Sequence, residues 1–223
     1  MTLTSLTRAR PAAVLWDMDG TIVDSEGHWL AAAEEILREH GIEPEGDALV
    51  GLVGVALPDG AELMRRIGVA VEREELVDRW IELALRNTLA HGVAWRPGAL
   101  GLLAELRRAG IPLALVTMSY RVYAERVVEA LPAGTFTVTV TGDDVARGKP
   151  SPDAYLRAAG LLRVDPRECV AIEDSLLGLA SARAAGAHTI GVPHHLAIAA
   201  DDADVVWSTL AGRGAADLHL PLV

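Results

Sequence analysis

The sequence predicts an α/β protein, a doubly wound Rossmann-like parallel sheet with a small all-helical cap inserted after the first strand. Three observations carry this expectation. Short apolar runs recur at 12–16, 111–116, 136–141, 169–172 and 189–192, with a weaker sixth at 205–207, and helical patterns at 99–109, 121–131, 152–161 and 176–185 lie between most of them. Such alternation belongs to a parallel sheet covered by helices on both faces. The stretch 24–95 breaks the rhythm, with helical patterns and no convincing strand. Finally, four of the apolar runs lead into acids, hydroxyls or a lysine, and open α/β sheets bind ligands at the C-terminal ends of their strands.

The first run, Ala12-Ala13-Val14-Leu15-Trp16, drives into Asp17-Met18-Asp19-Gly20-Thr21. As a buried strand it delivers both carboxylates at its C-terminal end, and Gly20 lets the backbone turn sharply there. Next come three helical stretches at 28–40, 51–67 (interrupted by glycine) and 73–91, with Asp24-Ser25 and Arg96-Pro97-Gly98 as the two hinges. The expected organisation is therefore a core of residues 1–23 and 96–223 and a cap of residues 24–95. A cap inserted at that point lies over the C-terminal edge of the sheet and opens and closes over Asp17. Gly110 and Gly186 follow two of the core helices as C-terminal stops. The second run delivers Thr117-Met118-Ser119, and the third is followed by Gly142-Asp143-Asp144 and then Gly148-Lys149-Pro150. The fourth delivers Glu173-Asp174-Ser175.

Composition bounds the function. A chain of 223 residues, 51% of them hydrophobic, suits one domain with a sizeable insertion or two small ones. A formal charge of −11 argues against nucleic acid, which needs a basic face, so an anionic substrate must be drawn in by a local positive site. No apolar stretch approaches the ~20 residues that span a bilayer. Residues 1–13 hold no apolar core of a signal peptide, so the expected setting is cytoplasmic with no membrane partner. Cys169 is the single cysteine and sits before Val170-Ala171-Ile172, which reads as a buried, inert thiol with no intrachain disulfide. The default assembly is a monomer or weak homodimer.

Asp17 and Asp19 so close together ask for a positive group between them. Two like charges about 4 Å apart repel by roughly 4 kcal/mol at an effective dielectric of 20. Each element also has an ordinary explanation: acidic turns cap helices, Glu173-Asp174-Ser175 could be an N-cap, and a lysine in a Gly-Lys-Pro turn is usually solvated. His194-His195 reads as a surface loop, and His28 as a solvated helix face. Trp29, Trp80 and Trp95 read as cap packing, with Trp29 close enough to the first hinge to press on a bound leaving group.

Taken together and in order, Asp17-Met18-Asp19-Gly20-Thr21, Thr117, Gly148-Lys149-Pro150 and Glu173-Asp174 resemble the four motifs of the haloacid dehalogenase-like superfamily, from about Val14 to Val192. The insertion is similar to the small cap of the subgroup holding phosphoglycolate phosphatase, sugar-phosphate phosphatases and β-phosphoglucomutase. This resemblance implies a phosphatase of small phosphorylated metabolites. Asp17 would be the nucleophile that forms an aspartyl-phosphate, and Asp19 the general acid and base. Thr117, Met118, Ser119, Lys149 and Gly20 would hold the phosphoryl group, Lys149 as a point charge. Asp17, the backbone carbonyl of Asp19, Asp174 and Glu173 would bind Mg²⁺. Dehalogenases of the superfamily lack a carboxylate at the position of Asp19. β-Phosphoglucomutase is the nearer alternative, but Trp29 stands where it has a histidine, and the stretch 51–59 offers no Lys or Arg for a second phosphate. Tyr120-Arg121 also replaces the mutase's Lys-Asn. A non-catalytic binding protein on the same fold is the third alternative; here every carboxylate the chemistry needs is present.

Overall fold

The computed structural model describes residues 10–44, 49, 51, 52 and 55–220. The core follows the expected alternation: β1 (Ala13–Trp16), α4 (Ala99–Arg108), β2 (Leu113–Val116), α5 (Arg121–Glu129), β3 (Val138–Val140), α6 (Asp153–Leu162), β4 (Cys169–Glu173), α7 (Leu176–Ala184), β5 (His188–Gly191) and β6 (Val205–Val206). The cap helices are α1 (Glu26–Glu39), α2 (Leu57–Arg66) and α3 (Arg73–His91). The strands form one sheet in the order β3-β2-β1-β4-β5-β6, every neighbouring pair parallel. The chain builds outward from β1 through β2 to β3, then returns to its other side for β4. That reversal makes the C-terminal ends of β1 and β4 the crevice of the sheet.

Alternation along β1 divides the core. Val14 and Trp16 face a large cluster with Leu102, Leu106 and Tyr123, whereas Ala13 and Leu15 face the other side with Tyr155, Ala158 and Ala182. All four β1 side chains are fully buried, as the period of two in a doubly covered strand requires. Alanines at 154, 158 and 182 let α6 and α7 lie close to the sheet.

In the cap, α1 and α2 both pack on α3. Trp80 of α3 donates its indole N–H to the Trp29 carbonyl at 2.9 Å. Its ring lies so close to α2 that a Cβ at Gly60 would sit 2.6 Å away. The two linkers between core and cap run side by side. Asp24 N donates to Ala94 O at 2.7 Å and Arg96 N to Ile22 O at 2.8 Å, around an antiparallel bridge between Val23 and Trp95.

Several expected bounds shift. The helix expected over 51–67 starts at Leu57, with Pro58 in its first turn, a position where the missing N–H leaves no bond unmade; residues 53 and 54 of that stretch lie outside the described residues. The run 111–116 enters the sheet only at Leu113, after Pro112, which has no N–H for the ladder. The expectation for residues 1–13 falls largely outside the described residues. Among the described residues, no helix is long and apolar enough to cross a membrane.

Candidate active site

Asp17 extends the β1 ladder, its N–H donating to Ile172 O of β4 at 3.0 Å. This bond fixes the first carboxylate at the switch point. The chain then folds back: Gly20 has φ +81° and donates to Val23 O at 2.7 Å. A Cβ at Gly20 would fall 2.0 Å from Asp174 Oδ2. Glycine is thus required both by the left-handed backbone and by the close approach of the turn to the end of β4. Thr21 Oγ1 donates to Asp174 Oδ1 at 3.3 Å across the same contact.

Lys149 arrives from the loop after β3 and is almost wholly buried. Its Nζ donates to Asp17 Oδ1 and Glu173 Oε1, each at 2.6 Å, and to Val116 O at 3.0 Å. Burial works against its charge, yet Asp17 and then Glu173 more than compensate and hold the ammonium pKa well above its ordinary value. Asp17 moves the other way. Burial, then the charge of Glu173, raises its pKa to about 7 despite Lys149. Asp174 is pushed to about 9 by burial, then by Asp17 and Glu173.

Glu173, expected among the metal ligands, lies within 4.8 Å of the carboxylates of Asp17 and Asp174 and also accepts from protein donors. Oε1 accepts from Lys149 and, at 3.0 Å, from Tyr155 OH. Oε2 accepts from Asp174 N, Ser175 N and Ser175 Oγ at 3.1, 3.1 and 2.9 Å. Its lone pairs are committed to protein donors, and it lies beneath Lys149 with no exposed surface. Ser175 then caps α7 by accepting from Gly178 N at 3.0 Å. Tyr155 was not singled out from the sequence. A tyrosine on the buried face of a helix needs a partner for its hydroxyl, but the pattern does not name the partner.

Asp19 is gripped by hydroxyls. Ser25 Oγ donates to Oδ1 at 2.5 Å, and Thr117 Oγ1 and Ser119 Oγ donate to Oδ2 at 3.1 and 2.7 Å. The hydroxyls of Thr117 and Ser119 thus donate to Asp19, and both residues line the cavity expected to take the phosphoryl group. Ser25, read from the sequence only as a hinge residue, joins the site. Met118 turns its sulfur to accept from Lys149 N at 3.3 Å.

The donor set suits a hard divalent cation. Carboxylate oxygens of Asp17, Glu173 and Asp174 lie within 4.8 Å of one another. Asp17 Oδ2 is buried with no hydrogen-bond partner, and an orphaned buried anion is costly without a cation. Asp17 and Asp174 are the more available of the three, since Glu173 also accepts five bonds from protein donors.

Asp17, Asp19, Gly20, Thr117, Met118, Ser119, Lys149 and Asp174 all line one cavity of about 470 Å³ between sheet and cap. Trp29, Trp80, Leu52 and Leu57 wall its cap side, and Leu177 and Leu196 of the core complete the rim. Trp29 packs edge-on to Trp80 at 6.0 Å, as expected of cap packing, and also lines the cavity.

Other candidates lie elsewhere. His28 is half-buried on α1 and pairs with Thr88 Oγ1 at 2.9 Å, and partial burial lowers its pKa. His194 and His195 lie in the loop after β5, as expected, but both are engaged there. Arg96 reaches His194 Nδ1 at 2.5 Å and Pro193 O at 3.0 Å, while Asp24 lies 3.1 Å from His194 Nε2. His195 pairs with Glu26. Asp144 caps the turn after β3, accepting from Thr141 N and Oγ1 at 2.9 Å and from Arg121. Cys169 is fully buried and its thiol pKa is pushed up to about 11 by burial.

Residues 11–186 match the family described as "Hydrolase: haloacid dehalogenase-like hydrolase". The chain belongs to the haloacid dehalogenase-like hydrolases. Within that family it is 37% identical over 181 residues to hexitol phosphatase A of Escherichia coli K12, covering 80% of this chain and 81% of that protein. It is 31% identical to validoxylamine A 7'-phosphate phosphatase of Streptomyces hygroscopicus subsp. limoneus, covering 88% and 92% of the two chains. Among solved structures, a CbbY variant of Rhodobacter sphaeroides in complex with xylulose-(1,5)bisphosphate superposes with a TM-score of 0.84 at 31% identity. That match covers 94% of this chain and all of the other. The six-stranded parallel sheet with its helical cap is thus the architecture of this hydrolase family, and the chain is an enzyme of its phosphatase branch.

Proposed function

We propose that this hydrolase is a Mg²⁺-dependent phosphatase of small phosphorylated metabolites that works through an aspartyl-phosphate on Asp17. One observation carries most of the weight. Asp17 keeps Oδ2 free of hydrogen bonds while Lys149 holds Oδ1, and the neighbouring Asp19 is held by hydroxyl donors instead. Two carboxylates two residues apart thus have separate surroundings, as separate roles require.

In the first step a free Asp17 oxygen forms a bond to phosphorus and the ester P–O bond breaks. The departing alkoxide takes a proton from Asp19. In the second, Asp19 takes a proton from water, whose oxygen bonds to phosphorus and releases phosphate and Asp17. Lys149 supplies a fixed positive charge against the phosphoryl oxygens, and Glu173 with Tyr155 keeps it in place. Asp17 and Asp174, with the backbone carbonyl of Asp19, would hold Mg²⁺. The ion supplies charge neutralisation at the phosphoryl group. Ser25 links the first hinge to Asp19, so cap position and acid orientation are coupled. Sugar-phosphate substrates fit both the cavity volume and the similarity to hexitol phosphatase A.

The test is inorganic phosphate release from a panel of sugar phosphates and other small monoesters, with Mg²⁺ and with EDTA. Release that needs the metal and vanishes in Asp17→Asn, with the variant still folded, is the expected result. No release from any ester by folded, metal-loaded protein would sink the proposal.

A further inference from the structure

The walls of the cavity carry a charge asymmetry. At its floor stands Lys149, committed to Asp17 and Glu173. Among the described residues that line the cavity there is no other lysine and no arginine. The ionisable groups nearer the cap are Glu26 and Asp59, together with His195, which Glu26 engages. The cap arginines close in sequence to Asp59 are occupied elsewhere: Arg65 and Arg66 both pair with Glu62. Arg121, just beyond the second strand, pairs with Asp144. The segment 45–56 reads Glu-Gly-Asp-Ala-Leu-Val-Gly-Leu-Val-Gly-Val-Ala, so it has no cation to contribute. What remains of the wall is apolar, through Trp29, Leu57, Leu177 and Leu196.

We propose that this cavity selects phosphate monoesters whose remaining part carries no second negative charge, and that Asp59 and Glu26 turn away bisphosphates and phosphorylated carboxylates. The inference rests on the phosphatase reading above and narrows its substrate class. A phosphoryl group meets its countercharge at the floor. A second anion on the same small molecule would lie against apolar or acidic wall with no cation to pair with. Hydroxyls on that part meet acceptors in the same carboxylates, so neutral polyols and sugars are accepted. The rejection is electrostatic and acts through specific side chains, which makes it a case of repulsive selection.

The experiment compares kcat/KM by phosphate release within two matched pairs: fructose 6-phosphate against fructose 1,6-bisphosphate, and 2-hydroxyethyl phosphate against 2-phosphoglycolate. The expected result is a preference of at least tenfold for the neutral-ended member of each pair, shrinking as salt is added. Asp59→Lys should narrow the preference and Asp59→Asn should narrow it less. Equal or faster turnover of the doubly charged members by the wild type overturns this inference alone. A preference that Asp59→Lys leaves unmoved, in a folded and active variant, removes Asp59 from it. Absence of release from all four esters overturns the phosphatase reading itself.

Discussion

Gly178, in the first turn of α7, touches no substrate position, yet its replacement by alanine should damage the site. In an open helix that exchange is favourable by about 1 kcal/mol. Gly160 of α6 is such a position, exposed and with nothing within 4 Å of a built Cβ. At Gly178 the same methyl would lie 1.7 Å from Glu173 Oε1 and 1.9 Å from its Cδ, far inside the 3.5–4.0 Å of an ordinary contact. Glu173 cannot swing aside freely, because Lys149, Tyr155, Asp174 N and Ser175 hold it and no part of it reaches solvent. Overpacking of a tight interior costs about 1–3 kcal/mol. Set against the gain in propensity, Gly178→Ala should be destabilised by up to about 2 kcal/mol, roughly 4–8 °C in Tm for a chain of this size. Because the displaced group is the counter-ion of Lys149, kcat for phosphate release should also fall by about tenfold or more. Thermal unfolding and steady-state phosphate release on Gly178→Ala beside Gly160→Ala provide the assay, with Gly160→Ala expected to gain stability. A Gly178→Ala protein that melts higher and keeps its kcat would refute the packing of Glu173 against α7 as the support of Lys149.

Other outcomes follow from the same contacts. Lys149→Ala should lower kcat by about 10² or more, checked by phosphate release on folded protein. In metal-free protein the raised pKa values of Asp17 and Asp174 favour their protonated forms in the fold. That stability is present below the unfolded carboxylate range and should be lost as pH rises through about 7 and about 9. Mg²⁺ at a hundredfold excess over its Kd should restore about 2.7 kcal/mol at neutral pH, and Asp174→Asn should abolish the gain; thermal melts with and without metal read both. Asp144 has the opposite sign. Burial opposes its charge, but Thr141 and Arg121 overcome this and depress its pKa, so its contribution is present above the unfolded value and lost as pH falls through the folded one. Asp144→Asn should therefore lose about 1–2 kcal/mol at pH 7 and converge with wild type in acid, measured by urea unfolding across pH.

The fold was legible because its signals are local. β1 is a continuous apolar run, Gly110 and Gly186 mark helix ends, and α3 spans the stretch 73–91 that its periodicity indicates. The strand ends were legible for the same reason: chain order alone brings Asp17, Thr117 and Glu173 to one edge of a parallel sheet. Side-chain partners were not. Whether Glu173 faces a cation or Lys149 depends on where Tyr155 and the backbone of Ser175 lie, and no spacing encodes that. Thr117 lines the cavity and also donates to Asp19, a contact that chain order does not reveal. The partners of the loop histidine His194 were not legible, because Arg96 and Asp24 are both distant in sequence.

The paired linkers have an evolutionary consequence. Because Asp24 bonds to Ala94 and Ile22 to Arg96, the insertion leaves and re-enters the core at two adjoining ends, as a hairpin would. One insertion can then be exchanged for another of different length without altering the register of β1 or the turn at Gly20. Recombination at this seam would swap the walls that meet the organic part of a substrate while leaving the reacting atoms where they are. The exceptions are the contacts across the seam: Ser25 bonds to Asp19, and Thr88 and Trp29 meet Tyr123 of α5. A transplanted cassette must bring a hydroxyl at the position of Ser25, or the acid it inherits will be left unaligned.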